Sequence, residues 1–194
     1  MKFSLSASIA LCCLYPSSTG FAQIPAGQKV GLVVYLKAGY QGLKVNLTAA
    51  AEKMPEADYG FKPGTMPEVR TYGQLFAHVA AGQYGVCAAM RGTSNPIQGR
   101  NIEQELKTKA DLVKVLADSF AFCDDAVAAL TDQNAGEFIK QGQGELAREA
   151  ALAGLIAHNS EMYGISTVYL RARNIVPPST EQQTMRQGGQ QERK

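Results

Sequence analysis

Residues 33–54 read VVYLKAGYQGLKVNLTAAAEKM, and within them Val33, Leu36, Tyr40, Leu43, Leu47, Ala50 and Met54 recur in alternating steps of three and four. That spacing puts all seven on one stripe of a helix. Gly39 and Gly42 lie inside the stretch, and each costs up to about 1 kcal/mol relative to alanine. The helix must therefore be held by neighbours against its apolar stripe, and Pro55 ends it.

The same rhythm returns three more times downstream. Thr71-Tyr72-Gly73-Gln74 has the spacing of a capping box and opens a second helix to about Arg91, with Leu75, Val79, Tyr84, Val86 and Met90 on its apolar side and His78 at that side's edge. Thr108, with Asp111 three residues on, caps a third helix whose stripe is Leu112, Leu116, Phe120, Cys123, Val127 and Leu130. A fourth runs from about Glu145 to Asn174, with Leu152, Leu155, His158, Met162, Ile165, Tyr169 and Ala172 facing inward; Pro177 and Pro178 stop it. Between them, residues 55–70 combine prolines and glycines with Tyr59, Phe61 and Met66, which predicts an ordered loop over the bundle end. Gly92–Lys107 reads as a polar crossover, and Thr131–Ile139 as a short helical turn broken by Gly142 and Gly144. The expected architecture is an all-α four-helix bundle with one long crossover between helices 2 and 3.

The ends of the chain read differently. Lys2, the apolar run Phe3–Tyr15, and the small residues Gly20 and Ala22 make residues 1–22 a secretory signal peptide. Its run is too short to span a bilayer, and nothing later reaches the roughly 18 apolar residues a membrane helix needs, so no stable membrane insertion is expected after cleavage. Residues 23–178 form the bundle, and Ser179–Lys194, rich in Gln, Gly and charge, is expected to be a disordered tail.

Composition removes whole classes of function. The 194 residues carry 19 Lys and Arg against 17 Asp and Glu, spread along the chain, which argues against nucleic acid as a partner. Two histidines and four cysteines, with no CxxC, exclude zinc ribbons and c-type haem. Neither His78 nor His158 has a glutamate three residues before it, so a ferritin-like di-iron bundle is excluded. There is no HExxH, GxSxG or phosphate-cradling loop. Cleavage leaves two cysteines, Cys87 and Cys123, on flanking positions of helices 2 and 3. They read either as a disulfide or as two buried thiols, and export favours the disulfide.

Three segments together carry a family resemblance: Tyr59-Gly60-Phe61-Lys62-Pro63; Glu68 to Ala80, EVRTYGQLFAHVA; and Ala157 to Gly164, AHNSEMYG, followed by Tyr169-Leu170-Arg171 and Val176-Pro177-Pro178. In this order they resemble the DinB family across nearly the whole mature chain. The resemblance implies a four-helix bundle in which one histidine of helix 2 and an HxxxH pair of helix 4 bind a divalent metal, zinc or nickel. Some members use that metal to activate a low-molecular-weight thiol for transfer. His78 matches the first histidine and His158 the second, while Met162 stands where the pattern has the third.

That departure leaves three readings of the same residues. Residues at i and i+4 share a helix face, so the spacing survives, but a thioether is a poor donor to zinc or nickel and an acceptable one to Cu(I). Met162 is then core filler in a site that has lost its metal, a bystander to weak binding by His78 and His158, or a ligand in a copper site. Glu161 projects about 100° away and does not replace it. If active, the protein is a metal-dependent hydrolase or thiol transferase, although export separates it from cytosolic thiols. The alternative is a non-catalytic helical binding or structural module without metal, its pocket empty or holding a small apolar ligand. The architecture is compatible with a homodimer, whose face the sequence does not identify.

Overall fold

The computed structural model describes residues 27–191, so the signal-peptide reading of residues 1–22 falls outside the described residues. Four long helices make the bundle: α1 (Leu32–Lys53), α2 (Tyr72–Arg91), α4 (Lys109–Ala128) and α5 (Arg148–Ala172). A short helix, α3 (Ile102–Glu105), interrupts the crossover. Helix α2 packs on α4 and α5, and α1 on the same two, so α1 and α2 sit on a diagonal. The all-α bundle expected from periodicity is the observed fold.

The stripes become the core. Tyr40, Leu47, Ala50 and Met54 of α1, Tyr72, Phe76 and Val79 of α2, Leu116 and Phe120 of α4, and Leu152 and Leu170 of α5 are buried together. The buried tyrosines carry hydroxyls that must find partners in a dry interior. Tyr72 donates to the Ala50 carbonyl at 2.6 Å, and Tyr59 donates to the Ala51 carbonyl. Helix ends are closed the same way. The capping box is formed, with the Gln74 amide donating to Thr71 Oγ1 at 3.2 Å and the Thr71 amide to Gln74 Oε1 at 2.9 Å. Loop carbonyls of Tyr59 and Phe61 accept from the Gly73 and Tyr72 amides, which a helix start otherwise leaves unpaired. At the far end of α1, Lys109 Nζ donates to the carbonyls of Glu52 and Met54, a cation placed where the helix dipole favours one. Thr108 caps α4 by accepting from the Asp111 amide at 3.1 Å.

A disulfide joins Cys87 of α2 to Cys123 of α4, with Cα atoms 5.2 Å apart and a sequence separation of 36. Closing a loop of that length removes denatured-state entropy worth about 4 kcal/mol in the chain-entropy account.

Three local expectations are corrected. The segment expected to be a helical turn, Thr131–Ile139, ends instead in a strand. β1 (Phe138–Gln141) pairs antiparallel with β2 (Gly144–Ala147), Gln141 facing Gly144 across a two-residue loop. Gly142, at φ +62°, supplies the left-handed conformation such a loop requires, and α5 begins only after it. The fourth helix ends at Ala172, two residues short of the expected Asn174, and it is not the prolines that stop it: Asn174, at φ +58°, turns the chain, and the Ile175 amide donates back to the Leu170 carbonyl. Finally, the tail expected to be disordered forms α6 (Pro178–Gln191). Pro178 occupies the first helical position, where a missing N–H costs nothing. Polar anchors hold the first turns: the Ser179 amide and the Tyr163 hydroxyl at 2.9 Å, an ion pair of Lys53 with Glu181, and Gln182 Nε2 donating to Asn46 Oδ1 at 3.2 Å. The last of these also occupies the asparagine of the Asn46-Leu47-Thr48 sequon. Among the described residues no helix is long and apolar enough to cross a membrane.

Candidate functional site

Helices α2 and α5 are neighbours, and each brings one histidine to their shared seam. The imidazoles of His78 and His158 lie with ring centroids 5.0 Å apart and planes inclined by 56°. Close approach is possible because α2 has no side chain one turn past His78. A Cβ built on Gly82 would sit 3.3 Å from His158 Cε1, tighter than most contacts of that kind. The glycine thus seats the His158 ring against the α2 backbone.

Each ring is oriented by a neighbour. His78 Nδ1 lies 2.6 Å from Glu103 Oε1, and the other oxygen of that carboxylate accepts from Arg70 Nε at 2.8 Å. Burial works to raise the Glu103 pKa, but the hydrogen bonds and charges of Arg70 and His78 outweigh it and hold the carboxyl below its ordinary range. Glu103 is therefore ionised at neutral pH and can only accept, so the proton between them belongs to His78 Nδ1. The lone pair of neutral His78 is left on Nε2. His158 Nδ1 lies 3.4 Å from Asn159 Oδ1, an amide oxygen, which assigns its proton in the same sense. Burial pushes the His158 pKa down; Asn159 and Glu161 pull against it, and the charge of a protonated His78 adds to the downward push. His158 is accordingly neutral at pH 7.

Met162, one turn after His158, is placed at the adjoining cleft. It is 5% exposed and lines a cleft of about 330 Å³ with Val69, Leu75, Ile165, Val168 and Tyr169, Glu68 and Arg70 standing at the same cleft. Leu75 lies one turn before His78 and Met162 one turn after His158, so the cleft adjoins the histidines along both helices. Among the described residues no three His, Cys, Asp or Glu side chains are grouped as the ligands of one ion would be. Two imidazoles offer two nitrogen donors, one fewer than the protein ligands that structural and catalytic zinc sites ordinarily use.

Sequence reasoning finds the histidines and misses what holds them. Glu103 lies 25 residues from His78, on a single-turn helix inside a polar crossover. Its one signal is Asn101, whose side chain accepts from the Gln104 amide just before the buried Ile102. Arg70 reads in the sequence as an ordinary loop charge.

Comparison with known proteins agrees with this geometry at the level of family and fold. The family description that matches residues 43–162 is that of the DinB superfamily. A crystal structure of a DinB-like protein from Bacillus subtilis superposes with a TM-score of 0.57 at 17% identity, covering 72% of this chain and 92% of that one. A DinB-like protein from Bacillus cereus gives 0.59 at 14% identity, covering 73% and 95%. No curated protein matches the chain in sequence. With the matched segment spanning more than half of its length, the chain belongs to the DinB superfamily.

Proposed function

We propose that this protein is an exported DinB-superfamily member that binds a divalent metal ion weakly through His78 and His158. The observation that carries the reading is the pair of facing imidazoles, 5.0 Å apart, each with Nδ1 turned to an acceptor and Nε2 left as the donor atom. Two protein ligands are fewer than structural or catalytic zinc sites ordinarily use, so weak affinity follows from the donor count. When bound, such an ion supplies Lewis-acid polarisation and lowers the pKa of a coordinated water or thiol. His158 contributes by staying neutral and Gly82 by letting its ring reach α2. Export is supported by the Cys87–Cys123 disulfide, which persists in oxidising compartments.

Titration of the purified protein with zinc, nickel and Cu(I) tests the reading. Binding should be lost in His78→Ala and in His158→Ala. Met162→His should tighten zinc or nickel by about tenfold or more, by restoring a third imidazole at the i+4 position. Equal affinity in wild type and all three variants would refute it. A second reading rests on the cleft, where Met162, Ile165 and Tyr169 form an apolar wall at the lower end of ligand-pocket size. There the protein is a metal-free module for a small apolar molecule, and an apolar fluorescent probe should bind wild type but be weakened by Val168→Glu.

A further inference from the structure

We infer that Glu103 is a positioning residue for His78: the crossover helix α3 exists to present one carboxylate that fixes the tautomer and orientation of that imidazole. The inference rests on the metal-binding reading for its consequence, but not for its geometry.

Glu103 is held from several sides. Oε1 meets His78 Nδ1 at 2.6 Å, Oε2 accepts from Arg70 Nε at 2.8 Å, and its main-chain carbonyl accepts from Gln74 Nε2 at 3.4 Å. Arg70 is fixed in turn, because its own carbonyl accepts from the Tyr169 hydroxyl of α5 at 2.8 Å. Gln74 belongs to the capping box that starts α2. The chain Tyr169–Arg70–Glu103–His78 thus ties α5, the loop before α2, the crossover and α2 into one polar line. Helix α3 has a single buried apolar side chain, Ile102. Packing alone is a thin reason for this turn of helix, and the carboxylate it carries lands on the one histidine of α2.

The chemical consequence is specific. A carboxylate accepting from Nδ1–H keeps the lone pair of the neutral ring on Nε2 and makes that nitrogen more basic, the usual way an outer carboxylate tunes a ligand histidine. Arg70 Nε, donating to Oε2 at 2.8 Å, holds the carboxylate with Oε1 turned to Nδ1 as an acceptor. A crossover clip with no role toward the ring would need the ion pair to Arg70 but not the contact to His78.

Long-range proton–nitrogen correlation NMR in mildly alkaline buffer, where imidazole is neutral, reads the tautomer without any metal. Wild type and Glu103→Gln, which retains an acceptor oxygen, should show His78 protonated at Nδ1. Glu103→Ala should move the population toward protonation at Nε2. In the same proteins nickel affinity should fall by about 10- to 100-fold in Glu103→Ala and recover in part in Glu103→Gln. An unchanged His78 tautomer in a folded Glu103→Ala protein would overturn the inference, whatever happens to its melting temperature. If wild type binds no metal, the proposed function fails while the tautomer comparison still decides the role of Glu103.

Discussion

Helix α2 has two seams that differ in almost every respect. Toward α4 it is stapled by Cys87–Cys123 and closed by fully buried side chains. Toward α5 it offers His78, whose side chain is 28% exposed, then Gly82, and beside them a cleft. One seam is built for stability. In the other, close packing gives way to polar groups that orient one another, which is where the proposed ion would find donors and space. Met162, on the open side, packs its thioether into the apolar cleft wall.

The largest way to break the contrast is to remove the staple. Cys87→Ala with Cys123→Ala should lower unfolding free energy by about 4 kcal/mol in chemical denaturation, with metal affinity unchanged. Thiol counting on the denatured wild-type protein should find neither cysteine free. Next, Thr71→Ala removes the cap that starts α2 and should cost about 1 kcal/mol, felt by both seams because both depend on that helix. Gly82→Ala sharpens the difference. Alanine gains up to about 1 kcal/mol of helix propensity over glycine, while its Cβ crowds His158 at 3.3 Å. Thermal stability should hold or rise while metal affinity falls, which separates the site from the scaffold in a single substitution.

The smallest effect is on the acid limb. Glu103 has a folded-state pKa below its ordinary 4.5, so between the two values it binds fewer protons folded than unfolded. Its contribution to stability is full above its unfolded pKa and is lost as pH falls through the folded value. Glu103→Gln should therefore lower stability slightly at neutral pH and flatten its loss below about pH 4.5, so that the denaturation midpoints of variant and wild type converge in acid.

Legibility in the sequence follows the size of the apolar signal. The long helices were readable because each buries a stripe at helical spacing, and both caps because their hydrogen bonds are local in sequence. His78 and His158 stood out only through the family resemblance, since a histidine on an apolar stripe is ordinarily a core residue with a hydrogen bond. The hairpin was hidden because each strand is four residues long and its buried side chain, Ile139, offers no alternation to count. Helix α6 was hidden because Ser179, Glu181 and Gln182 hold it by polar contacts to distant residues and not by an apolar stripe. Glu103 and Arg70 were unreadable for the same reason: a contact across 25 or more residues, made by charges, leaves no periodic trace.

The central claim is that the open seam retains an ion-binding pair. Elemental analysis of the protein, purified without a metal-affinity tag and then reconstituted, tests it beside a His78→Ala, His158→Ala double variant. The account predicts one divalent ion per chain in wild type and none in the double variant. Wild type without metal after reconstitution, or a double variant that retains it, would contradict the account.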